Sequence, residues 1–160
     1  MFAKKNLFNL CKFLLLSLIF SVVLSACQTK EKVQLTDNQG KQYLLPGIKQ
    51  KYVVINFFAP WCKPCYEEIP SLNAFAKKYS NDVLVLGVDF DESKAQDLQD
   101  KITSMGIAFP VLANNPSAVL GISDIRGLPA TFVLNQSGKV IKVLYGEQTV
   151  KSLAAATVSS

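Results

Sequence analysis

Cys62 and Cys65, in Trp61-Cys-Lys-Pro-Cys65, are the residues of this chain best suited to chemistry. A thiol is a weak nucleophile until it ionises, and it ionises readily where unpaired backbone N–H groups and a helix dipole favour negative charge. Two cysteines one turn apart at such a place can attack a foreign disulfide through one sulfur. The second sulfur then resolves the mixed disulfide. The flanking residues supply that place. Tyr52-Val-Val-Ile-Asn-Phe-Phe58 is a near-continuous apolar, β-branched and aromatic run, the pattern of a strand buried on both faces. After Ala59-Pro60 the apolar residues fall at Ile69, Leu72, Phe75, Ala76 and Tyr79, which is helical spacing with one inward face. Cys62 is expected at or just before the first turn, open to the helix field and to solvent, with Cys65 one turn further in. Pro64 fits a first turn, where a missing N–H costs little, and Lys63 adds positive charge beside the thiol.

Glu68, three residues past Cys65, shares a helix face with Cys65, Ile69 and Leu72. A carboxylate on an apolar face must titrate upward or find a partner. Glu68 is read either as proton acceptor and donor for Cys65 or as a helix glutamate reaching solvent, as Glu67 does; the apolar face favours the first. The chain has no histidine, which removes imidazole-based triads and histidine-ligated metals. Asp89, Asp91 and Glu92 follow a strand and read as a solvated loop rather than a metal site. Arg126 reads as a surface arginine.

The first 26 residues have the layout of a secretory signal: Lys4, Lys5 and Lys12 flank the start of an apolar run, Phe13 to Leu24. That run is short for a membrane span, which leaves an uncleaved anchor as the lesser reading. Leu24-Ser-Ala-Cys27 resembles the bacterial lipobox, which implies cleavage before Cys27 and lipidation of its sulfur. Residues 27–32 would then form a lipid-anchored tether, and 33–160 the folded domain. Of four cysteines, Cys11 leaves with the signal and Cys27 becomes the anchor, so only Cys62 and Cys65 remain as thiols. Their loop is too small to staple a fold. Without the three lysines the chain keeps 14 basic against 12 acidic residues, a formal charge of +2, and gives no reason to expect nucleic acid.

Val33–Thr36 and Gln42–Leu45 bracket Asp37-Asn-Gln-Gly40 as a hairpin, and Pro46-Gly47 turns into the central strand. A helix to about Tyr79, kinked at Pro70, precedes a second buried strand over 83–89. Ser93 opens another helix that Gly106 ends. Residues 109–112 read as extended and 116–120 as a brief helix. Residues 130–134 and 140–145 form a hairpin about Asn135-Gln-Ser-Gly138, and 147–156 a terminal helix. This is an α/β order: a central mixed β-sheet flanked by helices, with an added N-terminal β-hairpin.

Trp61-Cys-Lys-Pro-Cys65 after a buried strand, with Gly127-Leu128-Pro129 before a hairpin, resembles the thioredoxin fold. More closely, it resembles membrane-anchored thiol–disulfide oxidoreductases of the TlpA/ResA type. The resemblance implies a glutamate acting on the second cysteine, here Glu68, and places Asn56 where cytoplasmic thioredoxin has a buried aspartate. It implies that Trp61 shields the disulfide, and that a cis bond from Leu128 to Pro129 exposes the Leu128 backbone to an extended substrate. It also implies protein disulfide or thiol substrates, apocytochrome c among them, and a membrane thiol reductant that regenerates the pair. No cofactor beyond the redox-active disulfide and no resident metal is expected. The expected location is the periplasmic side of a bacterial membrane, with the leaflet open. A disulfide-forming oxidase or isomerase remains an alternative, as does a Cu(I)-handling protein that uses both sulfurs as soft ligands. A peroxidase is disfavoured, because Pro60-Trp61 stands where peroxiredoxins carry a threonine upstream of their reactive cysteine.

Overall fold

The computed structural model describes residues 32–158. The expectations for the signal over 1–26, for Cys27 and for nearly all of the tether lie outside them. Strands β1 (Val33–Thr36) and β2 (Gln42–Leu45) form an antiparallel hairpin. Its turn is organised by the buried Asp37, whose Oδ1 accepts the Gln39 and Lys41 N–H groups at 3.0 and 2.9 Å. The hydroxyl of Tyr43 donates to Asp37 Oδ2 at 2.9 Å, so burial and that carboxylate both push the phenol upward.

The remaining strands are β3 (Tyr52–Phe58), β4 (Val83–Asp89), β5 (Ala130–Asn135) and β6 (Val140–Tyr145). They lie in the order β4-β3-β5-β6, with β3 parallel to β4 and the other pairs antiparallel. The helices are α1 (Lys63–Lys78), α2 (Ala95–Met105), α3 (Ser117–Leu120) and α4 (Val150–Ala156).

Alternation along β3 divides the interior in two. Val54 and Phe58 face a core shared with Ile69, Leu72 and Phe75 of α1, Leu98 and Ile102 of α2, and Leu153 of α4. Val53, Ile55 and Phe57 face the opposite core, which the hairpin closes with Leu35, Tyr43 and Leu45. Phe57 meets Phe132 edge-on there, with ring centroids 5.5 Å apart. Gly87 permits the close packing at the β4 end. A Cβ on it would lie 3.1 Å from the side chains of Phe58, Phe109 and Val111. The extended segment 110–113 joins the two sheets: Leu112 N–H donates to Gly87 O at 2.8 Å, and Ala113 N–H to Thr36 O at 2.9 Å.

Local bonding moves several boundaries. Helix α1 starts at Lys63, directly after Cys62 as expected, and passes through Pro70 as one element. Helix α2 starts at Ala95 rather than Ser93, because Lys94 is extended (φ −118°, ψ 150°) and stands as its N-cap residue. It ends as expected on Gly106, whose left-handed backbone (φ 68°) lets its N–H reach Ile102 O and Thr103 O. Helix α4 starts at Val150 rather than Glu147, since Thr149 and Ser152 form a reciprocal capping box. A cis bond between Leu45 and Pro46 had no counterpart in the sequence reading.

Candidate active site

The chemistry sits where β3 ends and α1 begins. Cys62 is the N-cap residue of α1, with extended backbone (φ −91°, ψ 96°), and its N–H donates to Ala59 O at 3.1 Å. The Cys65 N–H donates back to Cys62 O at 3.0 Å, which closes the first turn. No side chain caps α1, and no acidic residue lies in its first turn. The dipole field therefore falls on the Cys62 sulfur without a competing carboxylate. Pro64 lies within the first two helical positions, as expected. The two sulfurs form a disulfide, with Cα atoms 5.3 Å apart. Cys65 is fully buried and Cys62 is 5 % exposed, so Cys62 is the sulfur that solvent reaches, although less openly than expected.

Beneath the pair, Glu68 is fully buried. Its Oε1 accepts from Asn56 Nδ2 at 2.7 Å, and its Oε2 from the Gln148 backbone N–H at 3.0 Å. Burial pushes this carboxyl up to about 7, against the pull of those two hydrogen bonds, and the charge of Glu147 pushes the same way as burial. A group poised there can take and return a proton near neutral pH. Asn56 also donates to Thr131 Oγ1 at 3.0 Å, across the β3–β5 register. Gln148 is held in turn, since its Nε2 donates to Gly146 O at 2.9 Å and its Oε1 accepts from Ser152 Oγ at 2.9 Å. The Gly146 N–H donates to Pro129 O at 3.0 Å, and the Leu128–Pro129 bond is cis, as the resemblance implied.

A family model described as the AhpC/TSA family matches residues 28–143. The chain belongs to this family. Within it the chain is a ResA-type thiol–disulfide oxidoreductase: it is 33 % identical over 134 residues to "Thiol-disulfide oxidoreductase ResA" of Bacillus thuringiensis (strain Al Hakam), an alignment covering 78 % of this chain and 77 % of the relative. The thioredoxin-like fold is shared with solved structures. StoA from Bacillus subtilis superposes with a TM-score of 0.64 at 22 % identity, covering 79 % of this chain and 96 % of that one. A DsbF homologue from Corynebacterium diphtheriae superposes with a TM-score of 0.67 at 23 % identity, covering 81 % and 84 %.

Against this ResA-type frame, the structure brings Cys62, Cys65, Lys63, Pro64 and Glu68 together on the first turns of α1. Trp61 is 66 % exposed, with its ring edge-on to Phe90 at 6.4 Å and its Nε1–H donated to Asp91 Oδ1 at 3.0 Å. Lys63 reaches toward Glu67 at 3.8 Å, an exposed pair of little weight that partly offsets the charge expected beside Cys62.

In the acidic cluster Asp91 and Glu92 are exposed, as expected of a solvated loop, but Asp89 is not. Asp89 is buried and accepts the Asp91 and Ser93 N–H groups, while Lys101 bridges it to Asp91 at 3.2 and 3.0 Å. The bonds from Trp61 and Lys101 hold the Asp91 carboxyl below its ordinary value. Among the described residues, no group of three or more His, Cys, Asp or Glu is placed to hold a metal. Arg126 is an exposed residue paired with Asp124 at 3.0 Å.

Thr131 and Gln148 carry no mark in the sequence, and Asn56 is marked there only by the position that the resemblance gives it. Period-two alternation does turn Asn56 to the α1 side with Val54 and Phe58, a signal that was available. Gln148 acts through its backbone, which its residue type does not announce.

Proposed function

We propose that the chain reduces disulfides in exported proteins on the periplasmic side of a bacterial membrane. In this reading Cys27 carries lipid once residues 1–26 are removed, and residues 27–32 tether the domain. The observation that carries it is the Cys62–Cys65 pair at the N-terminus of α1, with the buried Glu68 one turn behind Cys65.

In the reduced state the Cys62 thiolate attacks one sulfur of a substrate disulfide. A Cys62–substrate disulfide forms, and the first substrate sulfur leaves as a thiolate. Glu68 takes the proton of Cys65, whose thiolate attacks Cys62. The second substrate sulfur leaves, and the Cys62–Cys65 disulfide is restored. The proton on Glu68 can pass to a departing thiolate. Two electrons move to the substrate, and a membrane dithiol returns the pair to its reduced form. Leu128, beside Pro129, offers its backbone to an extended substrate segment, and Trp61 flanks the entrance. Apocytochrome c, with paired cysteines, is the substrate class that the ResA-type resemblance suggests.

The test uses the full chain, reduced and then mixed with insulin. Wild type should reduce the insulin disulfides and Cys62→Ser should not. Full activity in the variant would overturn the assigned nucleophile. Palmitate labelling in cells should be lost in Cys27→Ala, and persistent labelling would contradict the anchor.

A further inference from the structure

Asn56 is fully buried between Ile55 and Phe57 on β3, at a position where an apolar residue would pack without polar atoms to satisfy. Its Nδ2 donates to both Glu68 Oε1 and Thr131 Oγ1. Its Oδ1 is buried with no hydrogen-bond partner among the described residues. An orphaned buried acceptor is unfavourable for folding, so the amide costs the core stability. Only one of its two orientations serves Glu68. The reverse would set Oδ1 against a carboxylate oxygen, acceptor to acceptor.

We propose that Asn56 is a positioning residue for the exchange reaction: its amide nitrogen holds Glu68 as the carboxylate that takes the proton of Cys65. The proposal deepens the reading above and rests on Glu68 being that proton acceptor. Both Glu68 oxygens face donors, Asn56 Nδ2 and the Gln148 N–H, and neither donor group can receive a proton from a neutral carboxyl. Among the described residues, the charge that acts on Glu68 is that of Glu147, in the segment before α4, and Cys65 precedes it by three residues on its own helix. β3 and β5 contribute only the neutral Asn56 and Thr131. Asn56 is therefore the side chain that opposes both burial and the negative charge of Glu147. Thr131 takes the other N–H and so fixes the rotation of the amide.

The experiment compares wild type, Asn56→Leu and Thr131→Val as full chains. The Glu68 carboxyl is titrated by carbon-13 NMR in the oxidised protein, where neither thiol titrates. The pH profile of Cys65 attack is then followed in the reduced protein, by release of a chromogenic aryl thiol from its mixed disulfide with Cys62. Asn56→Leu should raise the Glu68 midpoint by about one to two pH units, the weight of a hydrogen bond to a charged group. The rate profile should move to higher pH by the same amount, with its alkaline plateau retained. Thr131→Val should move both less.

An unmoved midpoint overturns the role of Asn56 and leaves Glu68 as acceptor. A moved midpoint with an unmoved rate profile overturns Glu68 as acceptor, and this proposal with it. If Asn56→Leu does not fold, the Asn56 side-chain amide signals of wild type decide the matter. They should shift with the midpoint of Glu68, and signals that stay still overturn the proposal.

Discussion

Glu68 makes the oxidised protein's stability depend on pH in a direction opposite to that of a salt-bridged carboxylate. Its folded value of about 7 lies above its ordinary value of 4.5, so between those two pH values the folded state binds more protons than the unfolded one. Stability from this group is therefore fully present below about pH 4.5 and is lost as pH rises through about 7. At about 1.4 kcal/mol per pH unit, the gap amounts to about 3 kcal/mol. Glu68→Gln removes the titration while keeping the shape. Its amide nitrogen must face either the Asn56 or the Gln148 donor, a pH-independent loss of about 1–3 kcal/mol. The slope, rather than the absolute stability, isolates the carboxyl. Urea unfolding of the oxidised full chain at pH 5 and pH 8, wild type against Glu68→Gln, reads it directly. Wild type should lose about 2.5 kcal/mol more than the variant across that interval. Equal losses would refute the buried, titrating glutamate.

Cys65→Ser should halt exchange after the first step and accumulate a Cys62–substrate disulfide visible by mass, whereas turnover without such an adduct would contradict the order of attack. Trp61 is the single tryptophan, so the protein's tryptophan fluorescence reports the surroundings of this ring, the Asp91 contact among them. Asp91→Leu should change the emission and lower its anisotropy, at a stability cost below about 1 kcal/mol. Unchanged emission would mean the contact does not hold the ring. Leu72→Ala empties a fully buried position between α1 and the sheet and should cost about 2–5 kcal/mol by denaturant unfolding. A cost under about 1 kcal/mol would place Leu72 outside the core.

The sequence carries the core of this site openly because the pattern there is strong and local. An apolar run gives β3, period 3.6 gives α1, and Glu68 falls on the buried face by counting from Cys65. The hairpins follow from apolar runs about polar turns, and both match the structure. What stays hidden depends on partners distant in sequence. Asp89 reads as solvated until α2 swings Lys101, twelve residues on, against it. Trp61 reads as a cover for the disulfide, and its contacts with Phe90 and Asp91, the latter thirty residues on, are not legible locally. The backbone bond from Gln148 to Glu68, eighty residues apart, is likewise one that no local propensity encodes. The role of Asn56 needed the carboxylate that α1 lays over it.

The reduction potential of the Cys62–Cys65 pair, measured in the full chain, tests the central claim of a reductase most directly. The account predicts a value near about −270 mV, the thioredoxin end of the range, where the dithiol gives its electrons to substrate disulfides. A value near about −120 mV would contradict it. At about 30 mV per tenfold, that difference is about five orders of magnitude in equilibrium constant, and it would make the protein a donor of disulfides instead.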